Sequence, residues 1–396
     1  MMTAEIRMPA MMRIGGGVRA EAGRVLAELG CRRPLIVTDP YLLQQGLAER
    51  LAKDLAVFAI RARIFADTVA DPTSDVVDAG VGIFRESGSD SLVSLGGGSP
   101  IDTAKAIGML AANGRRVRDY RVPNLIPVPG PPHVAIPTTA GTGSETTRFT
   151  VVTDAESGEK LLIAGAVLVP TAALVDYELT LSMPARLTAD TGTDSLTHAI
   201  EAYVSRMANG FTDALALAAM GTIWRVLPVC VREPGNREAR AAMMLAATQA
   251  GVAFSNASVA LVHGMSRPLG ARFHVPHGLS NAMLLPAVTE FSSPAAMERY
   301  GDCARAMGIA APAETPSRSV ELLIEGLYAR NAELEVPSPR QFGISRDEYM
   351  EHIPRMVEQA LASGSPGNNP RVPTQAEIET LYRACFDGPE KSRESR

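Results

Sequence analysis

The hydropathy pattern of this chain changes character once, near Met183–Pro184, and that change limits the folds open to it. Before it, short β-branched runs alternate with amphipathic stretches. Residues 34–38 (PLIVT), 58–64, 91–95 (SLVSL) and 133–136 read as strands, and residues 41–54, 74–86 and 99–112 as helices. Strands alternating with helices of this length predict a parallel sheet with helices on both faces. After the switch, long Ala-, Leu- and Met-rich segments (213–231, 238–253, 320–335, 346–362) carry helical periodicity and few strand signals. The expected fold is an α/β domain over residues 1–183 and an all-α domain over 184–396.

A length of 396 residues exceeds one ordinary core and by itself suggests two or three domains. An apolar content of 46% with 20% charged residues is that of a soluble globular protein. The formal net charge of −5 provides no basic footprint, so no nucleic-acid partner is expected. Apolar runs such as ALALAAM are too short to span a bilayer and are flanked by charges, so no membrane partner is expected either. The N-terminus lacks a continuous apolar stretch ahead of a cleavage site, and Cys31, Cys230, Cys303 and Cys385 form no CxxC pair. Both features predict a cytoplasmic protein with reduced thiols.

Chemistry concentrates just after the switch. Of six histidines, His198, His263, His274 and His277 lie in one stretch with Asp194. In TDSLTHAIEAY, Leu196, Ala199, Ile200 and Tyr203 repeat at helical period, with Thr193 as the expected N-cap. Asp194 and His198 then stand at i and i+4 on one face. His263 opens a second helical stretch, and His277 follows Pro276, which fixes the chain where a loop delivers a ligand. One carboxylate and three imidazoles suit a first-row divalent metal, and a site close after the boundary suits an interdomain cleft. Read one at a time, the same residues are an N-cap and ordinary core histidines.

The strand SLVSL runs into Gly96-Gly97-Gly98-Ser99-Pro100-Ile101-Asp102. Ser99 suits an N-cap, Pro100 the first helical position, and Asp102 a capping-box-like first turn. Glycines without Cβ atoms let a phosphate approach backbone N–H groups at the positive end of a helix, although a tight structural turn would look the same. The loop is neither the GxGxxG fingerprint nor a Walker loop. A second post-strand segment, PTTAGTGSE at 137–145, offers hydroxyls and glycines for pyrophosphate or ribose, or forms a hydroxyl-rich turn. Asp39 ends the strand PLIVTD, where a carboxylate can bond ribose hydroxyls and repel a 2′-phosphate, or cap the helix that follows.

With GGGSPIDTAK, PTTAGTGSE, TGTDSLTHAIEAY and HGMSRPLGARFHVPHG in this order and spacing, the chain resembles the iron-containing (group III, metal-dependent) alcohol dehydrogenase family over roughly residues 10–390. The resemblance implies an N-terminal dinucleotide-binding domain, an all-helical metal-binding and catalytic domain, and a cleft holding NAD(P) beside the metal. It implies metal ligands Asp194, His198, His263 and His277, with Fe2+ first and Zn2+ as the alternative. It puts Gly97, Gly98 and Ser99 at the cofactor pyrophosphate, with Asp102 also among the cofactor-binding residues, Thr138, Thr139 and Thr142 around the phosphates and nicotinamide ribose, and Lys160 near that ribose. Asp39 at the adenosine ribose favours NAD over NADP. Catalysis falls to His263, His277 and Arg267, and a homodimer or larger homo-oligomer is implied.

One position departs from the family pattern. Many members carry a second histidine four residues after the first of the HG motif, where this chain has Arg267. A guanidinium on the face of His263 would favour an anionic substrate, or would pair with a local Asp or Glu. His274 is left out of the metal site. The expected reaction is hydride transfer between nicotinamide and a small alcohol, aldehyde, ketone or hydroxy acid, with the metal holding the substrate oxygen. The alternatives are a glycerol dehydrogenase or a sugar-phosphate cyclase-type enzyme that also uses NAD and a metal.

Overall fold

The structure, a computed structural model, describes residues 3–388. Its strands are β1 (Met11–Ile14), β2 (Pro34–Val37), β3 (Arg63–Phe65), β4 (Ser91–Gly96), β5 (His133–Pro137), β6 (Phe149–Thr153), β7 (Lys160–Ala164) and β8 (Ala172–Val175). Six of them form a parallel sheet in the order β1-β8-β5-β4-β2-β3, while β6 and β7 make a separate antiparallel hairpin. Strands β2, β4, β5 and β8 are buried at every residue. Their near-continuous apolar sequences follow from coverage on both faces.

Helices α1 (Ala22–Glu28), α2 (Pro40–Gln44), α3 (Leu47–Ala56), α4 (Ser74–Glu86) and α5 (Gly98–Asn113) accompany this sheet. Alternate residues of β2 feed separate cores, as a period of two requires. Leu35 and Val37 pack with Phe84 of α4 and Ile107 of α5, whereas Ile36 packs with Leu26 of α1 and Leu55 of α3. Each such side chain contributes about 1.5–3 kcal/mol by leaving water.

Several local expectations need correction. The stretch 41–54 is two helices, because Gly46 takes a left-handed conformation (φ 70°) between them. Of the expected strand 58–64, only the end pairs: Ala59 is left-handed (φ 57°) after α3, and Arg63–Phe65 joins β2 as the edge strand. The short strands β1 and β8 lack a periodic signal that would have announced them. Helix α5 begins one residue before Ser99, with Gly97 as its N-cap.

The helical region contains α6 (Ala185–Val204), α7 (Gly210–Arg232), α8 (Arg237–Ala257), α9 (Leu261–Phe273), α10 (His277–Ser292), α11 (Met297–Ala306), α12 (Pro316–Glu333), α13 (Arg346–Ala362) and α14 (Gln375–Cys385). The chain divides into two compact units, and the division is not a single cut at Met183–Pro184. Residues 234–255, most of α8, group with the α/β unit, while Pro184–Glu233 and the chain from Asn256 onward form the helical unit. The cause is local: Gly251 and Gly143 have no side chains, so α8 approaches the loop after β5 at a distance a Cβ would forbid. Thr248 Oγ1 then donates to Glu145 at 3.0 Å. Contrary to the reading of its apolar runs, α7 is long and apolar enough by length and composition to cross a membrane. Within the helical unit it packs along α6 with Ala216, Ala219, Met220, Ile223 and Leu227 buried.

Candidate metal centre and nucleotide-binding loops

Helix α6 starts at Ala185, so Thr193 is an interior residue rather than a cap, and its Oγ1 donates to the Ala189 carbonyl at 2.9 Å. The helix still sets Asp194 and His198 one turn apart on one face, and Glu201 follows on the next turn. Helix α9 carries His263. His274 ends that helix in a left-handed conformation (φ 54°), and Pro276 caps α10, whose first residue is His277. Gly278 makes the approach of α10 to α6 feasible. A Cβ there would lie 2.3 Å from the Asp190 carbonyl oxygen and 3.3 Å from Asp194 Cβ.

The result is a cluster centred on Asp194 Oδ1. The Nε2 atoms of His263, His198 and His277 lie 3.4, 3.7 and 3.8 Å from it. Donors on a tetrahedral ion with bonds near 2.1 Å stand about 3.4 Å apart, and the three imidazoles approach that spacing from Asp194 Oδ1. Donor atoms of Asp194, His263 and His277 lie within 4.8 Å of one another. The His198 ring stacks on that of His263 at 4.6 Å between centroids. Asp194, His198 and His263 are buried, whereas the His277 side chain is 37% exposed and marks the open side.

Electrostatics prepare these groups to bind a cation. Burial disfavours the Asp194 charge, yet His198, His277 and His263 outweigh it and hold the carboxyl well below its usual range. Burial pushes His198 down to about 3, so its ring is neutral. Burial also opposes a charge on His263, but Glu201 and Asp194 prevail and raise it. A cation entering the site displaces that proton.

Two residues absent from the sequence-based set complete the centre. Glu201 Oε2 lies 2.6 Å from His263 Nδ1, and its Oε1 accepts the Val262 N–H at 2.6 Å. A carboxylate at Nδ1 holds a ring proton there, so that loss of the second proton to an entering cation leaves the Nε2 lone pair on the Asp194 side. Asn281, one turn after His277, donates Nδ2–H to Asp194 Oδ1 at 2.6 Å. Both were within reach of helical spacing, as i+7 from Asp194 and i+4 from His277. Arg267 stands one turn beyond His263 and donates to Ser365 Oγ at 2.9 Å.

In the α/β unit, the first turn of α5 has no side-chain cap, so its N–H groups remain available to an anion. A Cβ on Gly97 would meet Thr139 at 3.2 Å and one on Gly98 would meet Thr142 at 3.1 Å, which places the two loops against each other. Thr139 Oγ1 is buried without a partner. An unsatisfied hydroxyl beside an uncapped helix N-terminus fits a phosphate-bearing ligand. Thr138 donates its N–H to the Gly96 carbonyl at 2.9 Å, and Thr142 Oγ1 accepts from the Ser144 N–H at 3.3 Å.

Asp102 does not close a capping box. Its oxygens accept from Ser144 Oγ at 2.5 Å and the Val151 N–H at 3.0 Å, which ties α5 to the loop and to β6. Lys105 continues that tie, donating to Ser144 Oγ, Thr147 and the Phe149 carbonyl at 2.8–3.1 Å. Burial lowers Lys105 to about 8 despite Asp102 and Glu145. Asp39 Oδ1 accepts the Leu42 N–H at 2.8 Å as the N-cap of α2. Lys160, on β7, is paired with Asp71 at 2.8 Å.

The chain matches two family profiles, "Iron-containing alcohol dehydrogenase" over residues 9–177 and "Fe-containing alcohol dehydrogenase family, C-terminal" over residues 188–386. It is 38% identical to the NAD-dependent methanol dehydrogenase of Bacillus methanolicus, over 95% of this chain and 98% of that one. It is 37% identical to the lactaldehyde reductase of Escherichia coli (strain K12), over 90% and 93%. The crystal structure of a 1,3-propanediol oxidoreductase superposes with a TM-score of 0.93 at 34% identity, over 97% and 100%. The chain therefore belongs to the iron-containing alcohol dehydrogenase family and is an oxidoreductase acting on CH–OH groups.

Proposed function

We propose that this oxidoreductase transfers hydride between NAD(H) and a small alcohol or hydroxy acid at a divalent metal, iron in the first place and zinc as the alternative. Asp194, His198, His263 and His277 would hold the metal. The observation that carries this reading is the single carboxylate oxygen with three imidazole nitrogens 3.4–3.8 Å away. When bound, the metal supplies a Lewis acid for the substrate oxygen and the nicotinamide supplies the hydride acceptor.

The rest is the work of the chain's own groups. Glu201 holds the proton on His263 Nδ1 and so keeps Nε2 free of one. Asn281 orients the Asp194 carboxylate. The partly exposed side at His277 receives the substrate. The alcohol proton passes to water, because Glu201 and the imidazoles around Asp194 are committed to one another. Gly97, Gly98, Ser99, Thr138, Thr139 and Thr142 would take the cofactor phosphates and ribose. Asp102 and Lys105 would act by holding those loops. Asp39 favours NAD over NADP, since capping α2 occupies only one of its oxygens. With Asp71 at its ammonium, Lys160 would reach the ribose only by exchanging partners.

Short alcohols suit the relatives, named for activity on methanol, lactaldehyde and 1,3-propanediol. Four buried cysteines that form no disulfide support a reducing, cytoplasmic setting. A homo-oligomer is read from the family resemblance alone. The test is NADH oxidation with short aldehydes, with and without chelator, in protein reconstituted with iron or zinc. Metal-dependent turnover is expected, and turnover indifferent to chelator and to Asp194→Ala would refute the proposal.

A further inference from the structure

Arg267 is a positive side chain within electrostatic reach of Asp194 and Glu201, and its surroundings differ from those of a structural arginine. A guanidinium carries five N–H donors. Arg267 spends one of its nitrogens on Ser365 Oγ, a neutral acceptor, and has no ion pair with any carboxylate among the described residues. The buried Ser365 begins a short helical turn (Ser365–Asn368) that packs on α9, where Gly264 leaves no room for a Cβ beside Pro366. The hydroxyl is therefore a fixed tether. Arg267 is partly exposed, and among the described residues its remaining nitrogens have no hydrogen-bond partner. Burial weighs against its charge, and the carboxylates of Glu201 and Asp194 are the groups that offset the loss.

Charge balance gives that cation a role. The carboxylates of Asp194 and Glu201 neutralise a divalent ion, and Arg267 then leaves the pocket with one positive charge in excess. As i+4 to His263, the guanidinium rises from the same helix face, one turn away. A planar fork of donors one helical turn from His263 would suit a carboxylate, sulfonate or phosphonate on a small substrate held at the metal centre. We propose that Arg267 is a specificity-determining residue, and that the preferred substrate is a short aldehyde or alcohol bearing an anionic head group. This rests on the dehydrogenase reading above and narrows its substrate class.

The full chain is reconstituted with zinc or iron and assayed for NADH oxidation with matched pairs: glyoxylate and acetaldehyde, succinate semialdehyde and butanal, sulfoacetaldehyde and propanal. Wild type is expected to favour the anionic member of at least one pair in kcat/KM, and that pair identifies the head group and length. In Arg267→Gln the anionic-to-neutral ratio should fall roughly 10²-fold, mainly through KM, with Arg267→Lys between. Calorimetric binding of 4-hydroxybutyrate, glycolate and isethionate, each against the matched alcohol, to the zinc–NADH protein gives a second readout independent of turnover. A ratio unchanged in Arg267→Gln across all pairs, or an effect confined to metal content, overturns the proposal. Absence of turnover with every aldehyde in loaded wild type would instead strike the dehydrogenase reading, and calorimetry would still decide Arg267.

Discussion

Replacing Glu201 by Gln changes little in shape and removes one charge, and its consequence can be worked from two distances. Glu201 accepts from Val262 N–H and faces His263 Nδ1, each at 2.6 Å. A glutamine has one acceptor oxygen. If that oxygen keeps Val262, the amide NH2 meets the Nδ1–H of His263, and the imidazole must move its proton to Nε2, the atom aimed at Asp194. If the amide turns over, Val262 loses its partner in a buried site. Either way one hydrogen bond to a charged group is lost, worth about 1.5–3 kcal/mol. At 1.36 kcal/mol per decade, that is about ten- to hundredfold weaker metal binding, the range found for carboxylates that support metal-bound histidines. The assay is zinc titration against a competing chelator, with near-UV circular dichroism to verify folding. If folded Glu201→Gln bound zinc within about threefold of wild type, the assigned role would be wrong.

Three further substitutions probe separate parts of the structure. Gly278→Ala sets a Cβ against the Asp190 carbonyl oxygen and should cost about 1–3 kcal/mol together with metal content, measured by thermal melts and metal analysis; an unchanged melting temperature contradicts the close helix contact. Thr139→Val removes a hydroxyl that has no partner, so stability should hold or rise while NADH binding, followed by fluorescence, weakens about tenfold; unchanged binding removes Thr139 from the cofactor site. Burial, with help from Lys105, lowers His133 from 6.5 to about 3, so its contribution is complete above pH 6.5 and fades as acid protonates the unfolded chain. Stability should therefore fall by at most ~1.4 kcal/mol per pH unit between those values, and His133→Gln should flatten that slope in pH-dependent denaturant melts; identical slopes reject it.

Much of the fold was legible because both regimes of periodicity are strong. Runs such as PLIV and SLVSLG are mostly apolar and buried at every residue since their sheet is covered on both faces, and 346–362 is helical to the residue. The histidine cluster was legible from i, i+4 spacing within α6 and a proline ahead of α10. What stayed hidden depended on tertiary contact. Most of α8 reads as one more helix of the helical half, and only the Gly143–Gly251 approach assigns it to the α/β unit. Ser99 is an excellent cap by type, but the backbone turns two residues earlier at Gly97, where no Cβ interferes with Thr139. Asp102 was read with the cofactor-binding loop, and it and Lys105 are the buried joints that hold that loop.

Anomalous diffraction from crystals grown with iron or zinc tests the metal centre most directly. The account predicts one full-occupancy peak within about 2.0–2.2 Å of Asp194 Oδ1 and of the Nε2 atoms of His198, His263 and His277. A peak bound elsewhere, or no peak between these four side chains in protein that retains metal-dependent activity, would contradict it.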